Sequence, residues 1–151
     1  NFMEEIIVGQ GEYKKARAPD ELDSGGIGPC IAIGAIYNKR GYMVHEHSVG
    51  HNYADFIDTT IFRDLRKDVK DKKNLQIYII GAGIEINDEY KDNKIAGRQA
   101  VLDKIVENGF QEAVKDIRWC PTNYTQSLRL ILSECRAEIE EDEDDLEEYE
   151  F

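Results

Sequence analysis

Apolar positions follow two rhythms along the chain, short β-branched runs and a stripe recurring every fourth residue. Glu5 to Lys14 begins apolar and continues in rough alternation, which predicts an N-terminal strand. Ile31 to Tyr37 is apolar throughout, as a strand buried on both faces requires. Asn38-Lys39-Arg40-Gly41 then predicts a turn into a second strand, Tyr42 to Val49. Ile57, Ile61, Leu65 and Val69, flanked by Phe56 and Phe62, mark an amphipathic helix over Tyr53 to Lys70. Leu75 to Ile80 reads as a central strand ending at Gly81-Ala82-Gly83. Asp92-Asn93 predicts the cap of a second helix through Asn108, with Val101, Leu102, Ile105 and Val106 on its buried side and Gly109 just beyond its end. Ala113 to Cys120, Leu128 to Glu134 and a short extension to Ile139 complete the strands.

Strands joined by tight turns as well as by helices predict a mixed α+β domain, layered β-sheets with two amphipathic helices outside. That single domain is expected over residues 3–140, with Ala18 to Ser24 as loop. Residues 141–151 form an acidic C-terminal tail, solvated or loosely attached through Leu146, Tyr149 and Phe151. The 151 residues suffice for one hydrophobic core.

Charge narrows the range of partners. The net charge is −12, but Arg136 to Phe151 carries ten acidic residues against one arginine, a local −9 that leaves −3 for everything before it. Neither nucleic acid nor an anionic membrane surface is expected to bind such a chain. No apolar run approaches the roughly 20 residues of a membrane helix, and no basic-then-apolar leader is present, so no membrane insertion and a cytoplasmic location are expected. The three cysteines, Cys30, Cys120 and Cys135, show no Cys-x-x-Cys spacing, which suits a reducing compartment and argues against a structural zinc site.

Candidate chemistry centres on Gly25-Gly26-Ile27-Gly28-Pro29-Cys30, a glycine-rich turn delivering a cysteine to the start of the apolar strand. A thiol becomes nucleophilic where N–H groups or an imidazole favour its thiolate. Gly28 and Cys30 can offer such N–H groups to a thiolate or an oxyanion, whereas Pro29 has none. With fourteen residues between them, His45 in the other arm of the hairpin is placed to lie opposite Cys30; His47 shares its face and Glu46 points away. Either histidine is a candidate base. His45, His47 and His51 also admit a metal, although no carboxylate or second cysteine shows ligand spacing. The plainer readings make Cys30 a small core residue and the histidines a polar hairpin edge. Cys120, beside Trp119, and Cys135 read as core; Glu85, Asp88 and Glu89 read as a solvated loop; Arg98 and Gln99 fit either a site rim or an exposed helix start.

Gly26-Ile-Gly-Pro-Cys-Ile-Ala-Ile33 followed by Gly41-Tyr-Met-Val-His45 resembles the signature of the chemoreceptor glutamine deamidase family, CheD. Val8-Gly-Gln-Gly-Glu-Tyr13, Ile80-Gly-Ala-Gly83 and Ala96-Gly-Arg-Gln99 fall in the family's order. The site arrangement is also similar to that of deamidating toxins of the cytotoxic necrotizing factor type. Pro29 stands where the family has serine, and Ser24 where it has threonine. The resemblance implies a CheD-like fold and a cysteine-dependent glutamine deamidase with Cys30 as nucleophile, His45 as base and Ser24 as orienting group. Gly26, Gly28 and His47 would line the substrate or oxyanion position, with no cofactor. The implied partner is a protein bearing an exposed glutamine, in a chemotaxis or signalling setting; the alternative is a non-catalytic module binding a signalling partner.

Overall fold

The computed structural model describes residues 2–48 and 52–145. Among the described residues nine strands form two sheets: β1 (Glu5–Ile7), β2 (Glu12–Arg17), β3 (Glu21–Asp23), β4 (Ile31–Tyr37), β5 (Arg40–Glu46), β6 (Leu75–Gly81), β7 (Val114–Trp119), β8 (Tyr124–Ile131) and β9 (Arg136–Glu143). The five-stranded sheet has the order β2-β5-β4-β6-β7 and the four-stranded sheet the order β1-β3-β8-β9. The first helix, α1, is α-helical over Tyr53–Ile57, widens to a π-turn over Asp58–Phe62 and returns to α over Arg63–Asp68; the second, α2, spans Lys91–Glu107. In the widened turn, the Thr59 and Thr60 hydroxyls donate to the carbonyls of Asp55 and Phe56, competing with the helical ladder. The mixed α+β class expected from the sequence is the architecture observed.

The domain is three layers deep. Strand β4 alternates between two cores, and all seven of its residues are buried. Ile31, Ile33 and Ala35 pack with Ile57, Ile61, Leu65, Val101 and Ile105 under the helices, whereas Ala32 and Ile36 join Leu22, Met43, Ile80, Leu128 and Leu130 between the sheets. Each fully buried Ile or Leu contributes about 1.5–3 kcal/mol.

Several boundaries differ from the sequence reading. The N-terminal strand is two strands in different sheets, because Gly11 at φ 82° turns the chain between them. The expected loop at Ala18 to Ser24 contains β3, whose Leu22 is fully buried. The hairpin turn is the tight pair Asn38-Lys39, both at positive φ, and β5 ends at Glu46. Helix α2 starts after Tyr90 with no side-chain cap, and Asp92 lies in its first turn. Its buried positions are Lys94, Gly97, Val101 and Ile105, while Val106 is 61% exposed. Strand β9 enters the acidic segment as far as Glu143, paired antiparallel with β8. Leu146, Tyr149 and Phe151 lie outside the described residues. Among the described residues, no helix is long and apolar enough to cross a membrane.

Candidate functional site

Strand pairing sets the relation between cysteine and histidine. His45 stands opposite Ala32, and Glu46 opposite Ile31. Cys30 is two residues before Ala32 and packs against the same inter-sheet cluster, so Cys30 and His45 share a face, diagonally rather than directly opposite. His45 falls two positions short of the place opposite Cys30, because the turn centres on Asn38-Lys39 and pairs Tyr37 with Arg40. No hydrogen bond joins the Cys30 thiol to His45 among the described residues.

His45 is 7% exposed, and its Nδ1 lies 2.9 Å from the carbonyl oxygen of Val8. A carbonyl only accepts, so Nδ1 carries a proton, and the tautomer this selects has its lone pair on Nε2. Cys30 is half-buried; burial first, and the Glu46 carboxylate second, push its thiol pKa upward. Its resting form at neutral pH is the thiol, and reaction requires a base.

The turn carrying Cys30 is held by its carbonyls. Ile27 O accepts from Gln126 N at 2.8 Å, Gly28 O from Gly83 N at 2.9 Å, Pro29 O from the Ser48 hydroxyl, and Cys30 O from Ala82 N at 2.7 Å. Four consecutive carbonyls are thus fixed. Within a peptide unit the N–H points opposite to the C=O, so tying the Ile27 and Pro29 carbonyls aims the N–H groups of Gly28 and Cys30 away from their anchors. Neither N–H has an acceptor among the described residues, leaving two backbone donors flanking the exposed Pro29. Gly81, at φ 97°, permits the close approach, since a Cβ there would lie 2.0 Å from the Cys30 carbonyl oxygen.

Ser24 is 2% exposed; its hydroxyl donates to Gly25 O at 2.8 Å and accepts from Leu128 N at 2.9 Å. Its single proton is therefore committed to the backbone, and it pins the start of the turn to β8. Gly26 and Gly28 line a cavity of about 270 Å³ with Thr122, Asn123 and Cys120. His47 is exposed and borders a second cavity, of about 460 Å³, with Glu85 and Tyr90. The two share Pro29 and Glu85, and neither is lined by Cys30 or His45. His51 lies outside the described residues, and among those described no three His, Cys, Asp or Glu side chains are grouped to hold a metal.

Sequence reasoning missed Ser48, a buried serine without a motif, and Gln126, 1% exposed, whose amide oxygen accepts from Gly81 N at 2.8 Å. Of the cysteines read as core, Cys120 is 4% exposed with its thiol pushed up to about 11 by burial, and Cys135 is half-buried. Asp88 is no solvated loop residue: it pairs with Lys94 Nζ at 2.6 Å, and the side chains are 5% and 6% exposed. Gln99 is exposed and donates to Asp103.

No protein-family model matches the chain, and no curated protein sequence does.

Proposed function

We propose that the protein is a cysteine-dependent amidohydrolase acting on glutamine side chains of protein substrates, as the resemblance to the CheD family implies. The observation that carries this reading is the pair of N–H groups, of Gly28 and Cys30, without an acceptor among the described residues, in the anchored turn whose cysteine shares a sheet face with His45. Such donors suit the oxyanion of an acyl-transfer intermediate.

In the reaction, His45 Nε2 takes the Cys30 proton and the sulfur attacks the glutamine carbonyl carbon. The oxyanion collapses as the imidazolium protonates the departing nitrogen, releasing ammonia and leaving a thioester. Water, deprotonated by the same imidazole, hydrolyses the thioester to glutamate and restores the thiol. Because Cys30 and His45 are diagonal, the imidazole must close on the sulfur when substrate binds; catalytic hydrogen bonds are often long before that point. Ser24 serves by holding the start of the turn.

The rival reading, a non-catalytic module binding a signalling partner on this face, gains from the raised thiol pKa of Cys30 and from the commitment of the Ser24 hydroxyl. Ammonia release from terminally blocked glutaminyl peptides separates the two. Release that disappears in Cys30→Ala supports the enzyme; no release, or release that survives the substitution, overturns it.

A further inference from the structure

Helix α2 presents two cations one turn apart, Lys94 and Arg98, toward the strand end that holds the Cys30 turn. Arg98 donates to the carbonyl oxygen of Ala82 twice, from Nε at 3.1 Å and from Nη2 at 2.6 Å. Lys94 Nζ donates to the carbonyl oxygen of Gly83 at 3.1 Å. The Ala82 carbonyl belongs to the same peptide unit as the Gly83 N–H, and that N–H holds Gly28 O at 2.9 Å. A line of polar groups therefore runs from the Arg98 guanidinium through one peptide to the turn beside Cys30.

The Arg98 guanidinium lies over the Trp119 ring, 5.0 Å from its centroid, and is partly withdrawn from water, so its charge acts at reduced screening. A cation on a carbonyl polarises the amide and strengthens the bond donated by its N–H. Gly97 sets the depth of the helix: a Cβ there would lie 2.0 Å from the buried Tyr53 hydroxyl, so only glycine lets α2 settle against α1. Lys94 sits in the first turn, where the helix dipole disfavours a cation, and is compensated there by Asp88.

We propose that Arg98, with Lys94, is a positioning residue for the Cys30 turn, acting through the Ala82–Gly83 peptide to hold the Gly28–Pro29 peptide that lies between the two outward N–H groups. The inference rests on Cys30 being the reactive group, but its test reads the backbone separately from the reaction. Residue-resolved hydrogen exchange of the full chain compares wild type, Arg98→Met and Arg98→Lys. In Arg98→Met the Gly83 amide should exchange faster, on the order of tenfold, while the amides of Ile33 and Ile79 keep their protection. Arg98→Lys retains the charge but not the two-pronged contact, and should lie between. Carboxamide hydrolysis by Arg98→Met should lose kcat with little change in KM.

Unchanged Gly83 exchange in Arg98→Met overturns the proposal, as does an equal rise at Ile33 and Ile79, which would mark general loosening. If Arg98→Met does not fold, Arg98→Lys decides: faster exchange at Gly83 alone supports the proposal, and exchange like that of wild type overturns it. If the wild type releases no ammonia, the reaction falls while the exchange comparison still decides the role of Arg98.

Discussion

His45 donates from Nδ1 to the carbonyl oxygen of Val8 across 2.9 Å, from β5 to the segment that follows β1. This contact selects the tautomer with the lone pair on Nε2, the form a general base needs, while burial and the Glu46 carboxylate push the Cys30 thiol pKa upward.

Cys30 should therefore alkylate with a pH midpoint above that of an ordinary thiol, since burial and Glu46 both raise its pKa. Glu46→Gln removes the smaller cause and should shift the midpoint down without abolishing the elevation. Cys120, 4% exposed with its pKa near 11, should react far more slowly. Iodoacetamide labelling followed by peptide mass spectrometry across pH reads both; Cys120 labelling first would contradict the assignment.

Ser24→Ala removes an acceptor for Leu128 N and a donor to Gly25 O in a buried position. The expected cost is about 1–3 kcal/mol in denaturant unfolding. A loss below about 0.5 kcal/mol would show that the hydroxyl does not pin the turn to β8.

Gly81→Ala sets a methyl group against the Cys30 carbonyl at a positive-φ position. The expectation is a loss of about 3 kcal/mol or more, or displacement of the turn. Wild-type stability together with wild-type Cys30 alkylation would refute the close approach.

The Lys94–Asp88 pair should appear in the acid limb of stability. Asp88 is held at about 2 by the hydrogen bond from Lys94 and by the Glu85 and Tyr90 N–H groups. Its folded pKa is depressed below the unfolded carboxylate value of about 3.9, so its contribution is present above that pH and is lost as pH falls toward 2. Asp88→Asn should flatten this part of the curve in thermal melts at stepped pH; an unchanged acid limb would mean the pair does not couple to folding.

What the sequence made legible was what local pattern controls. Ile31 to Tyr37 announced a doubly buried strand, and the four-residue stripe announced α1. Its widened turn was hidden, because threonine back-bonding at Thr59 and Thr60 leaves no periodic trace. The Asn38-Lys39 turn fixed the hairpin register two positions away from the simplest count, which turned an opposed Cys30–His45 pair into a diagonal one. The anchors of the turn, Ser48, Gln126 and the Ala82–Gly83 peptide, converge only through long-range pairing, so no spacing along the chain points to them. The end of β9, residues 141–143, read as tail because its charged residues lie along an exposed sheet edge, where pairing with β8 rather than burial orders the backbone.

In the proposed reaction the Cys30 sulfur attacks a carboxamide carbon. Acid-quenched incubation of the full chain with a terminally blocked glutaminyl peptide, followed by peptide mapping, tests it most directly. The expected result is a thioester on the Cys30 peptide whose added mass is that of the substrate less ammonia, absent in Cys30→Ala and reduced in His45→Ala. An adduct on Cys120 or Cys135, or none on Cys30 while ammonia is released, would contradict it.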